Sequence, residues 1–306
     1  MEINIRAYLL NLKNGDPLYL YPNPGNAGDA LIGMGTIHLL DQLNIPYKLV
    51  NDKDHFDPSN KTIMYSGGGN LVKYYVNARN FIETHHKKIK KLIILPHTIN
   101  AHEDLLSQLG DNVNIIAREK YTFNFLKKYA GRCNIFLAHD MAFYLNKENL
   151  LKYNLPSFRS IVLKKLLFKI THNPEITSIP SPKILLTGKI LESKACLYRI
   201  THKKRRLKCF RIDPEKTGIA IPRNNIDLSE VYKLGTEHLP LIYYSAFKIL
   251  NFVQKYDEVY TNRLHIAIVG AILNKKTYFY PNSYFKNKAV YEYSLKNRFP
   301  NVTWRE

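Results

Sequence analysis

The chain has 306 residues, 45% of them hydrophobic, with 45 Lys and Arg against 25 Asp and Glu for a net charge of +20. This length holds two domains with separate cores, and no apolar run reaches the ~18 residues of a membrane span. The charge favours acidic partners: phosphorylated small molecules, an anionic membrane surface or nucleic acid, of which nucleic acid is the least supported because no recognition motif or stacking platform is present.

Short β-rich runs alternate with helical patterns. Leu18–Tyr21 is a predicted strand, followed by the Gly-rich turn Asn23-Pro-Gly-Asn-Ala-Gly-Asp29 and a helix over 30–43. In that turn Asp29 is the expected N-cap. Strands follow at 47–50 and 62–65, the latter ending in Ser66-Gly-Gly-Gly-Asn70. A helix over 82–89 precedes a strand at 92–95, closed by Pro96-His-Thr98. Further strands are expected at 113–117 and 135–137, with Arg118-Glu119 and Ala138-His-Asp140 after them and a helix over 121–129 between. His139 and Asp140 read most simply as a turn histidine and an N-cap. This alternation predicts a parallel, doubly wound sheet, with the Gly and polar residues at its carboxyl edge, where such sheets bind ligands.

The pattern breaks after residue 150. Between Lys152 and Arg211 fifteen Lys and Arg face two acids, Glu175 and Glu192. Ser160–Lys169 fits a basic amphipathic helix, and Lys203–Arg206 is a basic run. This segment reads either as a solvated linker or as a face for an anionic membrane or lipid phosphate. A second α/β unit follows: strands at 207–212, 258–261 and 277–280, helices over 239–256 and 264–273, and a tail helix over 286–299 that packs back on the first domain. The expected domains are 1–150, a basic interdomain segment 151–206, 207–285, and a C-terminal helix and tail 286–306.

Asn262 is a favourable N-cap for the helix after the 258–261 strand, which puts Arg263 and His265 in its first turn. The unpaired N–H groups and dipole of that turn favour an anion, and a guanidinium and an imidazole there suit phosphate or carboxylate. Cys133, Cys196 and Cys209 lack metal-ligand spacing, no Cys/His or carboxylate cluster indicates a metal, and sparse cysteine suits a reducing compartment. The first residues do not read as a secretory leader. A cytoplasmic protein is expected, with peripheral contact at the inner face of the membrane.

Taken in order, Gly25-Asn-Ala-Gly-Asp29, Gly67-Gly-Gly-Asn70, Leu95-Pro-His-Thr98, Arg118-Glu119, His139-Asp140, Phe210-Arg-Ile-Asp213 with Glu215, and Asn262-Arg-Leu-His265 resemble the polysaccharide pyruvyl transferase family over roughly 16–282. The resemblance implies two Rossmann-like domains facing across a cleft, a GT-B-like fold, and no cofactor. It implies transfer of the enolpyruvyl unit of phosphoenolpyruvate onto two hydroxyls of a sugar in a surface polysaccharide or its lipid-linked precursor, as a pyruvate ketal. Carried over by motif, Arg263 and Arg118 hold the donor with Asn262 and Leu264, and His265 is the general acid. Asp29 and Asn26, with Gly68, Gly69 and Asn70, belong to the acceptor side or order its loops. On the chemistry of the residues, His97 is the candidate acceptor-side base or hydrogen-bond partner. Three departures stand out: His97-Thr98 where many members have Gln-Ser, Arg211-Ile-Asp213 for the usual Arg-Arg-Asp, and the basic insertion.

Two other readings use the same features. One is a GT-B glycosyltransferase taking a nucleotide-activated acidic sugar, which needs a base-recognition pocket. The other is a non-enzymatic basic scaffold at a membrane assembly, which needs membrane binding without donor affinity.

Overall fold

The computed structural model describes residues 1–13, 15–51, 56–152, 186–191, 193 and 205–306. The expected basic helix over 160–169 lies outside the described residues. The chain divides into two compact units: 1–24 with 32–145 and 285–298, and 25–31 with 146–284 and 299–306.

The first unit carries a parallel sheet. Its strands are β1 (Leu18–Tyr21), β2 (Tyr47–Leu49), β3 (Thr62–Tyr65), β4 (Gly68–Leu71), β5 (Lys91–Ile99), β6 (Val113–Ala117) and β7 (Asn134–Leu137). The order is β2-β1-β3-β5-β6-β7, with β4 paired to β5. The order reverses between β1 and β3, and that reversal is the topological switch point where doubly wound sheets take ligands at the carboxyl edge. Ile63, Met64, Tyr65 and Leu92–Leu95 are fully buried, as continuous apolar runs covered on both faces should be.

Strand β5 runs past the expected stop at 95 and contains Pro96-His97-Thr98. Pro96 cannot donate to the ladder, and the register against β6 shifts between Ile94 and His97. The strand therefore survives as an irregular one that carries His97 inward, opposite Gly68 of β4. Helices Asn77–His85 (α3) and Lys120–Tyr129 (α5) start upstream of the expected 82 and 121. The tail is a short α-helix, Lys286–Val290, continued by a π-helix, Tyr291–Leu295. His139 Nδ1 lies 2.9 Å from Ser294 Oγ in that tail, and the Tyr293 ring packs on the same imidazole.

Helix α2 (Ala27–Gln42) begins three residues before the expected 30, because Asn26 and not Asp29 is its cap. Asn26 Oδ1 accepts from Gly28 N at 2.7 Å, while Asp29 Oδ2 accepts from Asn26 N at 2.9 Å, a reciprocal capping box. Its middle, Ala30 through Leu40, is buried and apolar apart from Thr36 and His38.

The second unit has a four-stranded parallel sheet in the order β11-β10-β9-β8: β8 (Arg206–Cys209), β9 (Glu258–Thr261), β10 (Lys276–Phe279) and β11 (Val302–Trp304). Between β8 and β9 runs the long helix Leu239–Gln254, with Pro240 in its first turn. Between β9 and β10 runs Leu264–Ile272, almost wholly apolar and buried. The end of the basic run is paired with carboxylates, although Arg206 is exposed. Arg205 forks onto Asp257, with Nε 3.1 Å from Oδ2, and Arg206 Nε lies 3.1 Å from Glu258 Oε2. Among the described residues no helix is long and apolar enough to cross a membrane.

Candidate active site

The second unit gathers its polar residues where β8 and β9 end. Asn262 is not the helix N-cap: its Oδ1 accepts from Arg211 N at 2.8 Å, tying the two strand ends together. Arg263 holds the N-cap position instead, with extended backbone and its N–H on Thr261 Oγ1 at 2.9 Å. Leu264 is buried core, so only its backbone faces the helix start.

The Arg263 guanidinium is buried and committed. Nε donates to Asp227 Oδ1 at 2.9 Å, Nη2 donates to Asp227 Oδ2, and Nη1 donates to Asp213 Oδ2 at 2.6 Å. Arg211 forks onto Asp213 at 2.8 and 2.9 Å and reaches Glu215 Oε2 at 2.8 Å. Two guanidiniums are thus answered by three carboxylates, with Glu230 another 3.7 Å from Arg263. Burial pushes Asp213 up, but Arg211 and Arg263 outweigh it and hold its carboxyl at about 2. Burial opposes the Arg263 charge, and Asp227 and Asp213 reverse that and raise its pKa. The expected free clamp is therefore a neutralised network, and a donor can use only the Nη hydrogens that the carboxylates leave.

His265 lies at the second position of the helix and is partly exposed, while its neighbours from Thr261 to Gly270 are buried. Its ring packs on the first turn of α2. A Cβ built on Gly28 would stand 2.5 Å from His265 Nδ1. No side chain fits there, so glycine at 28 makes the space for the imidazole. The Gly-Asn-x-Gly-Asp and Arg-Leu-His motifs thus form one constellation inside the second unit, with Asp29 and Asn26 ordering the loop through the capping box.

The first unit gathers another set at its switch point. Arg118, after β6, is 1% exposed. Nη1 donates to Asp140 Oδ2 at 2.7 Å and Nε to Thr98 Oγ1 at 2.8 Å. Asp140 also caps the 3-10 turn Met141–Tyr144 through Ala142 N, as expected of it. Nη2 lies over Gly69, 2.9 Å from where a Cβ would be. Asn70 N approaches His97 Nε2 at 3.2 Å, and Asn23 Oδ1 accepts from Tyr65 Oη at 3.1 Å and from Asn70 Nδ2.

His97 does not suit the expected role of base. It is fully buried, and burial reinforced by the Arg118 charge pushes it down to about 3. A neutral imidazole of that pKa is a poor proton acceptor near pH 7. Its contacts hold the Gly68-Gly69-Asn70 strand in place. Cys133 and Cys209 are buried free thiols that burial pushes up to about 11 and about 12, so they pack rather than react. No group of three His, Cys, Asp or Glu among the described residues could hold a metal.

Sequence reasoning missed Asp227, Thr98, Asn23 and Lys286. Asp227 is 36 positions from Arg263 and Asn23 is 47 from Asn70, with no spacing signal to join them. Lys286 looks solvated in a Lys-rich tail, yet it is buried.

The family described as polysaccharide pyruvyl transferase matches residues 26–284. A curated Bacillus subtilis (strain 168) protein, "Putative pyruvyl transferase EpsO", is 25% identical over 288 residues, covering 87% of this chain and 81% of that protein. The crystal structure of an uncharacterised protein from Klebsiella pneumoniae subsp. pneumoniae NTUH-K2044 superposes with a TM-score of 0.73 at 28% identity, covering 99% of this chain and 97% of the other. The chain belongs to the polysaccharide pyruvyl transferase family.

Proposed function

We propose that the chain moves the enolpyruvyl unit of phosphoenolpyruvate onto two hydroxyls of one sugar, as a cyclic ketal, during polysaccharide synthesis. The observation that carries this is the His265 imidazole seated on Gly28, partly exposed at the start of a buried helix. His265 gives its proton to the methylene carbon of the donor. The resulting oxocarbenium-like centre at C2 is attacked by one hydroxyl, whose proton restores the His265 imidazolium, and the second hydroxyl displaces inorganic phosphate, which takes up that hydroxyl's proton. Arg118 Nη2 and the remaining Nη hydrogens of Arg263 neutralise phosphate and carboxylate. We include in the proposal the facing-domain, GT-B-like arrangement that the resemblance implies, a cytoplasmic site, and a lipid-linked acceptor at the inner membrane face.

The test is phosphate release from phosphoenolpyruvate with a panel of saccharide acceptors, and mass analysis of the product. His265→Ala is expected to lose turnover by ~10²–10⁴-fold, the range for a general acid, with donor binding largely kept. Near-normal turnover in that variant removes the acid assignment.

A further inference from the structure

The strands of the second unit's sheet lie side by side in chain order, β8, β9, β10 and β11. Right-handed crossovers between successive neighbours put their connecting helices on the same side. Leu239–Gln254 and Leu264–Ile272 make the first two of these connections. Alternation along the strands marks the covered face: Leu207, Cys209, Val259, Thr277, Phe279 and Val302 are buried.

The opposite face presents two rows in register. Lys208, Tyr260, Tyr278 and Thr303 form one, and Arg206, Glu258 and Lys276 the next. Arg206, Lys276 and Thr303 are exposed, and Lys208, Tyr260 and Tyr278 are partly so. All-parallel sheets are normally buried on both faces, so this open face calls for a cover.

The charge of the face selects that cover. Arg206, Lys208, Lys276 and Arg305 set four cations against Glu258, which Arg206 Nε and Tyr260 Oη approach at 3.1 and 3.0 Å. Counting Glu306 beyond Arg305 as well still leaves the face positive. Tyr260 and Tyr278 stack with centroids 4.6 Å apart. Lys276 and Arg305 lie 5.5 and 4.9 Å from the centre of the Tyr278 ring, a cation–π arrangement that holds their charge at the surface without neutralising it.

The chain leading into β8 would set like charge on like, with fifteen Lys and Arg against two acids from Lys152 to Arg211. A second copy meeting the same patch about a two-fold axis would do the same. Strands spaced about 4.8 Å apart spread the cations over a broad surface rather than around one small anion. An anionic lipid surface matches both features: Lys and Arg take the phosphates, and tyrosine suits headgroup depth.

We propose that the open face of the second unit's sheet docks on an anionic phospholipid surface through Arg206, Lys208, Lys276 and Arg305, with Tyr260 and Tyr278 among the headgroups. The lipid-linked acceptor of the function proposed above gives this docking its purpose, and only the purpose rests on that reading.

The experiment is co-sedimentation of the full chain with vesicles of phosphatidylcholine alone, and of phosphatidylcholine and phosphatidylglycerol in equal parts, at physiological salt. Any basic chain adheres somewhat to anionic lipid, so the double variant Lys276→Ala/Arg305→Ala is compared with Lys127→Ala/Lys128→Ala. The latter removes the same charge from exposed lysines of α5. Thr303→Asp adds a negative charge at an exposed position of the open face, and it carries the test should the first double variant not fold. Thermal melts check each fold. Binding is expected to the mixed vesicles alone. The lipid needed for half-binding should rise ~30-fold in Lys276→Ala/Arg305→Ala and ~5-fold in Thr303→Asp, but less than ~3-fold in Lys127→Ala/Lys128→Ala. Equal losses in the two double variants would mean adhesion by overall charge, and wild-type binding in both Lys276→Ala/Arg305→Ala and Thr303→Asp would mean contact elsewhere; either overturns the face. So does a wild type that leaves both vesicles unbound, or one that forms a dimer which Thr303→Asp abolishes. Turnover on a soluble saccharide should be unchanged in all three variants. Face-dependent vesicle binding without pyruvyl transfer removes the proposed function alone, and pyruvyl transfer without face-dependent binding removes the docking alone.

Discussion

Arg263 looks from its motif like a ligand contact, and its surroundings make it first a structural charge. Asp227 and Asp213 are held by it in a buried network. Removing one member of a buried ion pair leaves an uncompensated charge, typically costing about 3–5 kcal/mol. Arg263→Ala should therefore lower the unfolding free energy by about that much, read as a shift in the denaturant midpoint at unchanged slope. A loss under about 1 kcal/mol together with lost donor binding would show that it acts only on the ligand. Gly28 makes the opposite case. Alanine is favoured over glycine inside a helix by about 1 kcal/mol, but at position 28 its Cβ would press on His265 Nδ1 and on the capping Asn26 Oδ1, so Gly28→Ala should not gain that stability. Its Cβ would still displace the His265 ring, and turnover should fall at least ~10-fold, as misplaced catalytic groups do. Unchanged turnover would detach the two motifs from each other.

The starts of the helices carry much of the local order. Asn26 and Asp29 cap α2 reciprocally, so Asn26→Ala should cost about 1 kcal/mol, and combining it with Asp29→Ala should cost less than the two single effects together. Thermal melts of the three variants check this, and strict additivity would argue against the capping box. The strands Leu18–Tyr21, Thr62–Tyr65, Val113–Ala117 and Glu258–Thr261 could be read directly, because buried parallel strands are short, unbroken apolar runs between turn residues. β4 was hidden in a Gly-rich stretch that has no strand periodicity, and β11 is only Val302–Trp304. The extension of β5 through Pro96 went against a rule that holds for regular ladders and fails at an irregular one. The candidate site was legible as residue types, since Arg118, His265, Asp29 and Asn70 all lie at strand ends or helix starts. Their partners were not, because Asp227 and Lys286 become visible only when distant segments meet.

Across the molecule, buried neutral histidines set the response to acid. Burial holds His38 and His139 at about 4 and His97 at about 3, each from an ordinary 6.5. Above pH 6.5 neither the folded nor the unfolded chain protonates them, and full stability is present. Below it the unfolded chain takes up protons that the folded chain refuses, so stability falls by about 1.4 kcal/mol per pH unit per group until the folded values are reached. Asp213 adds a later loss, from its ordinary 3.8 down through about 2. Denaturation midpoints should decline from pH 7 to pH 4, and His97→Gln, in a folded variant, should flatten the slope. A flat profile would contradict the buried, neutral assignments. The net charge of +20 also means that any anion binds weakly, so selectivity and not affinity alone distinguishes the functions.

Calorimetric titration at physiological salt, comparing phosphoenolpyruvate with inorganic phosphate, a CMP-sugar and a UDP-sugar, bears most directly on the proposed activity. Selective binding of phosphoenolpyruvate is expected, followed by phosphate release once a competent saccharide is added. Preference for a nucleotide sugar would contradict pyruvyl transfer, and His265 and Arg118 would then need other roles.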